Sequence, residues 1–402
     1  MGNRCVILKW KNKILSLLFK ENRLLRVQAE EETESLLGNI YIGKVKNTVK
    51  NMEAAFVEIS PEITCFLSLR DAKKPLLLNR KYDGRILVGD ELPVQVDREA
   101  LKTKPPGVTT ALSLSGKYSV VSLGRPGIAY SAKLSQKVRE RMMKEYKEIY
   151  EAVPPEFGVV IRTNAKDITD SALFEKELKG LAQALQELVE NAPHRTCFSV
   201  LYRKEPAYLT GLRDIYTGDC DEIVTDREDI YEEISRYEAS HPGYLPGTLR
   251  LYEDDMLPLH KLYNVEKKVK EALGKKVWLK SGGYLIIEPT EALTVIDVNT
   301  GKSSGKKRQE EAFLKINREA AAEIAMQLML RNISGVILVD FINMEQEESQ
   351  HELMAYFGDL LKKDPVKTTL VDITVLGLVE ITRRKINKPL WEQLKDREAV
   401  RD

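Results

Sequence analysis

The sequence predicts a multidomain protein of mixed α/β and β type. Three observations lead there. At 402 residues and roughly 150 residues per domain, the chain has room for about two to four domains. Residues 38–116 hold short strands at close spacing with turn residues between them, the pattern of a small β-barrel. Residues 275–402 alternate strand, long helix and strand, the pattern of an α/β layer.

Taken in order, residues 1–37 open with CVILKW and KILSLLF, separated by the hairpin-like break Lys11-Asn12-Lys13. RLLRVQAE follows as a third strand, and an acidic stretch from Glu30 to Glu34 closes the segment. In 38–116 the strands are GNIYIGKVKNTV, AAFVEIS, ITCFLSL and ELPVQVDRE, punctuated by Gly38, Gly43, Pro61 and Gly89-Asp90. Phe56 and Phe66 fall on neighbouring strands. Spacing alone reads them first as core phenylalanines. Barrels of the OB class also use exposed aromatics at such places to stack bases.

Residues 117–205 are mixed. Leu134 to Val153 is charged and helical, GVVIRTNA is a strand ending in Arg162 and Thr163, and Ser171 to Asn191 is a helix with leucines on one face, closed by Pro193. Residues 206–272 carry Asp214, Asp219, Asp221 and Asp226, a strand at EIVTD and a helix at DREDIYEEISRYEA. A further helix runs from His260 to Leu273 and stops at Gly274. In 275–402, VWLKSGGYLIIEP forms a hairpin around Gly282-Gly283. ALTVIDVNTG is a strand, Arg308 to Arg331 a long helix, GVILVDFINM a very apolar strand and 346–363 a helix. KTTLVDITVLGLVEITRRK follows, and no internal repeat or low-complexity linker is visible.

Composition narrows the function classes. Hydrophobic residues make up 43% and charged residues 31%, a folded rather than a disordered mixture. Lys plus Arg (62) nearly cancels Asp plus Glu (61), so a nucleic-acid surface would have to come from local segregation of charge. Cys5, Cys65, Cys197 and Cys220 never reach CxxC spacing, and the four histidines form neither HxxxH nor HExxH. Zinc knuckles, disulfide frameworks and histidine metal sites are therefore not expected. Val6 departs from the myristoylation pattern, Ile14 to Phe19 is too short for a signal peptide, and no run approaches a transmembrane length. The cytoplasm is the expected compartment, and no membrane span is expected.

The chemistry concentrates in one pair. LTVIDVNTG and GVILVDFINM flank a long helix, so they form a βαβ unit whose strands run parallel. Each carries an aspartate near its C-terminal end, Asp297 and Asp340, after an apolar run. Ligands of open α/β sheets bind at that edge. Asn299 sits two residues beyond Asp297, on the same face of an extended strand. Two adjacent carboxylates repel unless a cation lies between them. Mg²⁺ suits one or two protein carboxylates completed by water and phosphate oxygens, and can activate water against a phosphate. Lys302, Lys306, Lys307 and Arg308 nearby would attract a polyanion. Taken singly, each aspartate also fits a turn former or a helix cap. The run Gly301-Lys-Ser-Ser-Gly-Lys-Lys imitates a phosphate-binding loop but has three residues between its glycines where four are needed, and Lys307 where Ser or Thr is needed.

These strands resemble the two signature strands of the ribonuclease E/G family. The likeness extends along nearly the whole chain. EAAFVEI with CFLSL resembles that family's S1 RNA-binding domain, GVVIRTNA its 5′-sensor strand and VLGLVEITRRK the end of its catalytic domain. The resemblance implies an RNase H-like domain from 1–37 and 206–272, with an inserted S1 barrel of OB type (38–116) and a 5′-sensor (117–205). A DNase I-like catalytic domain (273–402) would follow. It further implies Mg²⁺-dependent endonucleolytic cleavage of single-stranded, often A/U-rich RNA in RNA processing and decay, favoured by a 5′-monophosphate. Asp297 and Asp340 would hold Mg²⁺, with Asn299 orienting Asp297 or the scissile phosphate. Arg162, Thr163 and the backbone at Val120 would bind the 5′-phosphate, for which the planar fork of Arg is suited. Phe56, Phe66 and Lys104 would stack or steer the RNA on the barrel. Asp214 and Asp219, in the RNase H-like part, are not expected to be catalytic.

One departure stands out. Many members follow this last motif with CPxC, which shares zinc between subunits, whereas residues 386–402 contain no cysteine. Any homo-oligomer would then form without a zinc link, and the chain resembles the minimal, ribonuclease G-like members, with no room for a long disordered scaffold. Two other readings remain open at this point: a non-catalytic, ribosome-associated S1-type RNA-binding protein, and a phosphatase or NTPase with a similar metal edge.

Overall fold

The computed structural model describes residues 2–31, 35–72, 74–100, 104–168, 170–215, 218–300 and 309–395. The basic run Lys302, Lys306, Lys307 and Arg308, with the loop that imitates a phosphate-binding motif, lies outside the described residues. The chain divides into two compact units, the first comprising residues 1–32, 219–236 and 247–402 and the second 33–218 and 237–246. As the sequence predicts, the protein mixes α/β layers with a closed barrel.

The first unit contains two sheets. The smaller has five strands. Arg4–Trp10, Lys13–Lys20 and Arg23–Glu31 form an antiparallel meander: Lys13–Lys20 alternates buried and half-buried residues, Cys5 to Leu8 are buried on both faces, and Lys11 and Glu21 adopt the left-handed conformation that tight hairpins require. Glu222–Thr225 joins Arg4–Trp10 in parallel, and Thr248–Leu251 joins it in turn. The expected helix over His260–Leu273 is two helices, Leu259–Leu262 and Val265–Leu273. They part at Asn264, which sits at φ 50°, a region that asparagine tolerates better than most residues.

The larger sheet has six strands in the order Lys276–Trp278, Tyr284–Pro289, Leu293–Asn299, Gly335–Asp340, Val379–Arg383 and Thr368–Ile373. Leu293–Asn299 and Gly335–Asp340 are parallel, and helix Gln309–Leu330 connects them, so the expected βαβ unit is present. That helix and Glu347–Leu361 pack on the same face. Ile296, Val298, Ile337 and Val339 meet Ile324 and Phe357 there. The arrangement is anchored by a buried ion pair, Arg383 Nε to Asp364 Oδ2 at 2.7 Å, while Arg383 Nη1 also donates to Asn332 Oδ1 at 2.8 Å.

The second unit holds the barrel. Strands Ile40–Val49, Ala54–Ser60, Ile63–Ser68, Gly107–Thr109 and Glu91–Arg98 pair in that order, and Glu91–Arg98 closes back on Ile40–Val49. Ala55, Val57, Cys65 and Leu67 point into it. Val200–Tyr202, far along the chain, pairs with Ile40–Val49. A four-stranded sheet comprises Gly127–Tyr130, Phe157–Ile161, Ser119–Leu123 and Ser113–Ser115, packed on helix Ser171–Asn191. The expected helix over 134–153 breaks at Tyr146 into Gln136–Glu145 and Lys147–Glu151, where the Tyr146 ring packs 4.8 Å from that of Phe174.

Candidate active site

Along Leu293–Asn299 the side chains alternate. Ile296 and Val298 enter the core, so Asp297 and Asn299 must face the other way. Gly335–Asp340 alternates in the same phase, with Ile337 and Val339 buried and Asp340 exposed. The parallel register then pairs Asp297 directly with Asp340. Neighbouring strands lie about 4.8 Å apart, so the two carboxylates stand side by side at the C-terminal edge. Asn299 Nδ2 donates to Asp297 Oδ2 at 2.7 Å, which fixes one carboxylate oxygen.

The surroundings are braced from the crossover helix. Asn317, fully buried, donates from Nδ2 to the Ile342 carbonyl at 2.8 Å and accepts from the Ile342 N–H at 3.0 Å. This pins the chain two residues past Asp340. Glu310 accepts from the backbone N–H groups of Glu345 and Gln346, which holds the same loop further on. On the other side, Glu319 accepts from the N–H groups of Lys280 and Ser281 at the tip of the hairpin Lys276–Pro289. Gly283 in that tip packs so closely that a Cβ would lie 2.8 Å from the Asn299 carbonyl oxygen.

Two carboxylates and an amide suit a hard divalent cation that retains water and takes substrate oxygens. Among the described residues no group of three or more His, Cys, Asp or Glu is placed to hold a metal. This donor chemistry is of the kind that an open Mg²⁺ site uses, with water and substrate oxygens completing the shell.

The second unit carries the other expected residues. Arg162 follows strand Phe157–Ile161, and its N–H donates to the Tyr118 carbonyl at 2.8 Å. Its Nη1 donates to Asp214 Oδ1 at 2.8 Å and to the Gly116 carbonyl at 2.5 Å. Arg213 donates to the same Asp214 oxygen at 3.0 Å. Burial alone would raise the Asp214 carboxyl, but the hydrogen bonds and charges of Arg162 and Arg213 outweigh it and hold it below the usual carboxylate range. Thr163 Oγ1 shares a hydrogen bond of 2.9 Å with Ser131 Oγ. Val120 pairs with Val160 on the adjoining strand. The turn before Val120 is shaped by the buried Glu177, which accepts from the N–H groups of Lys117, Tyr118 and Ser119 and from the Tyr244 hydroxyl. Sequence spacing gave no sign of Asp214 or Glu177 as partners, since 52 and 58 residues separate Asp214 from Arg162 and Glu177 from Ser119.

On the barrel, Phe56 and Phe66 are register partners with ring centroids 6.2 Å apart, edge to face. Both are half-buried on the outer face, between buried neighbours that fill the interior, so they are not core phenylalanines. Lys104 is exposed.

The sequence model of the ribonuclease E/G family matches residues 113–386. The chain belongs to the ribonuclease E/G family. It is 32% identical over 394 residues to ribonuclease E of Nostoc sp., which covers 94% of this chain and 57% of that protein. It is 31% identical over 371 residues to ribonuclease G of Escherichia coli K12, covering 90% of this chain and 75% of that one. With ribonuclease G of Haemophilus influenzae the identity is 30% over 398 residues, with 96% and 80% covered. The chain thus spans little more than half the length of its ribonuclease E relatives. No helix among the described residues is long and apolar enough to cross a membrane.

Proposed function

We propose that this member of the ribonuclease E/G family is an endoribonuclease that hydrolyses single-stranded RNA in RNA processing and decay, with Mg²⁺ as cofactor. One observation carries the reading: Asp297 and Asp340 are register partners at the edge of a parallel pair, and Asn299 binds Asp297. A bound Mg²⁺ would supply Lewis acidity and a more acidic water. Asp297 and Asp340 would hold it, and Asn299 keeps Asp297 oriented. The half-buried setting of Asp297 and Asn299 limits competing water.

The other units of the reading are RNA contacts. Phe56 and Phe66 present ring surface for stacking, and the exposed Lys104 would steer the phosphates. Arg162, Thr163 and the Val120 backbone would take a 5′-monophosphate and so stimulate cleavage of such ends. Among the described residues both side-chain hydrogen bonds of Arg162 use Nη1, to Asp214 and Gly116, which supports a role in presenting the rest of its planar fork to phosphate oxygens. The cytoplasm suits the four cysteines, all of which are free thiols.

The test uses one short RNA carrying a 5′-monophosphate, a 5′-triphosphate or a 5′-hydroxyl, incubated with and without Mg²⁺. Cleavage only with the metal and fastest on the monophosphate is the expected result. Equal rates on all three ends would remove the 5′-phosphate assignment alone. Binding without cleavage under any divalent metal would replace the whole reading with a non-catalytic RNA-binding protein.

A further inference from the structure

Three side chains on the first two strands of the six-stranded sheet have no role in the site described above. Lys276 pairs with Ile286, Ile286 with Asp297 and Asp297 with Asp340. One step along, Trp278 pairs with Tyr284 and Tyr284 with Asn299. Direct partners point to one face, as do residues two apart in a strand. Lys276, Trp278 and Tyr284 therefore share the face of Asp297, Asn299 and Asp340. Their alternates, Val277, Leu285 and Ile287, turn to the core.

Trp278 is 65% exposed. A tryptophan is ordinarily mostly buried, and a large exposed aromatic is informative where it has company. Here the Tyr284 ring lies 5.4 Å away at 63°, and the Lys276 ammonium sits 3.9 Å from the Trp278 ring centroid and 3.6 Å from that of Tyr284. Aromatic faces with an adjoining cation are the equipment that proteins use for unpaired nucleic acid: rings stack on bases and the cation meets the phosphate. From the Trp278 strand to the Asn299 strand is two strand spacings, about 10 Å. Charge complementarity points to the same occupant. A lysine two strand spacings, about 10 Å, from Asp297 suits a chain whose phosphate binds at the metal edge and whose next phosphate lies toward the lysine.

We propose that Trp278, Tyr284 and Lys276 form a base-stacking subsite holding a nucleotide beside the bond that is cut at Asp297 and Asp340. The proposal rests on the endoribonuclease reading and adds a contact to it. Stacking carries no base code, so the subsite grips the strand without choosing its sequence.

The experiment titrates the Asp297→Asn chain with a short labelled oligoribonucleotide of mixed A and U. RNA anisotropy and intrinsic tryptophan fluorescence are read together. The chain has three tryptophans, Trp10, Trp278 and Trp391, and the other two are half-buried. The expected result is quenching on binding that disappears in Trp278→Leu, with Kd raised about tenfold, and Trp278→Phe restoring affinity to within about threefold. An abasic site moved along the RNA should remove the quench at one position. Folding of each variant is checked by its unfolding midpoint, and the exposure of Trp278 makes a fold defect unexpected. Unchanged quench and affinity in Trp278→Leu would overturn the subsite, while the endoribonuclease reading would stand if the wild-type chain cuts the same RNA. If the wild-type chain binds without cutting, that reading fails, and a Trp278-dependent quench still supports a stacking surface. Unchanged RNA affinity with altered sedimentation in Trp278→Leu would assign the face to a second copy and overturn the proposal.

Discussion

Asp297 and Asp340 occupy the same register position on two adjacent parallel strands, and among the described residues only Asp297 carries an amide clamp, from Asn299. The two carboxylates therefore differ in preparation. Losing an outer-shell orienting partner typically costs about 10–100-fold in activity or metal affinity. Asn299→Ala should fall in that range when initial cleavage rates are compared at saturating Mg²⁺. Asp297→Asn would remove a proposed direct ligand of the metal and should lose about 100-fold or more while RNA binding survives. Relief of like-charge repulsion should leave its unfolding midpoint unchanged or slightly raised. Full cleavage by Asp297→Asn would sink the assignment.

Asn317 ties the crossover helix to the loop beyond Asp340 through two hydrogen bonds to Ile342. Asn317→Ala would leave the part-buried N–H and carbonyl of Ile342 without this partner, at up to about 1–3 kcal/mol each. Urea denaturation should show a loss of several kcal/mol, and cleavage should fall more than RNA affinity because Asp340 loses its fixed position. A loss under about 0.5 kcal/mol would show that the loop is held by other contacts.

The βαβ unit and its aspartates were legible because each strand is an apolar run ending in one acid, and a long helix between them dictates parallel pairing. What could not be read was lateral neighbourhood. Trp278 and Asn299 meet one row only because the hairpin Lys276–Pro289 lies on the outer side of Leu293–Asn299, and sequence spacing does not fix that order. Phe56 and Phe66 show a second limit. Their neighbours Ala55, Val57, Cys65 and Leu67 are apolar as well, so hydrophobicity alone does not tell inside from outside. Only the burial of those neighbours turns the rings outward. Helix ends failed locally, at Tyr146 and Asn264, where a single residue leaves helical geometry inside an otherwise helical pattern.

Those outward rings make a separable prediction. Phe56→Ala and Phe66→Ala should each weaken binding of single-stranded RNA roughly 5–10-fold, in line with about 1 kcal/mol or more per stacked base. Each is half-buried, so the cost in stability should stay below that of a core phenylalanine, about 3–5 kcal/mol. Anisotropy titration with denaturation controls checks both parts. An unchanged Kd in the double variant would move RNA binding off this face.

Asp214 offers a pH test. Its carboxyl is held below its ordinary value of 3.8 by Arg162 and Arg213 against the opposing effect of burial. A depressed folded-state value means that the unfolded chain takes up the proton first as pH falls. The stabilisation is therefore present above pH 3.8 and is lost as pH drops through the lowered value. The stability gap between the parent and Asp214→Asn should be widest near neutrality and shrink below pH 3.8. The same variant frees Arg162, so the preference for a 5′-monophosphate over a 5′-hydroxyl should drop while cleavage of the hydroxyl end is unchanged. A pH-independent gap would mean that the ion pair adds nothing.

Gly283 and Gly358 form a matched pair for the hairpin beside Asn299. A methyl group at Gly283 would press to 2.8 Å on the Asn299 carbonyl oxygen, which is backbone of the strand carrying Asp297. Gly282 before it sits at φ 90°, and Glu319 grips the tip, so the hairpin cannot swing away cheaply. Gly283→Ala should cost about 1–3 kcal/mol of stability. It should also lower kcat by displacing Asn299 from Asp297. Gly358 lies within helix Glu347–Leu361 and has open space around its missing Cβ. Gly358→Ala should therefore gain about 0.5–1 kcal/mol from helix propensity and leave kcat alone. Denaturation curves and single-turnover cleavage separate the two. If both substitutions moved stability the same way, close approach at Asn299 would not be what requires glycine at 283.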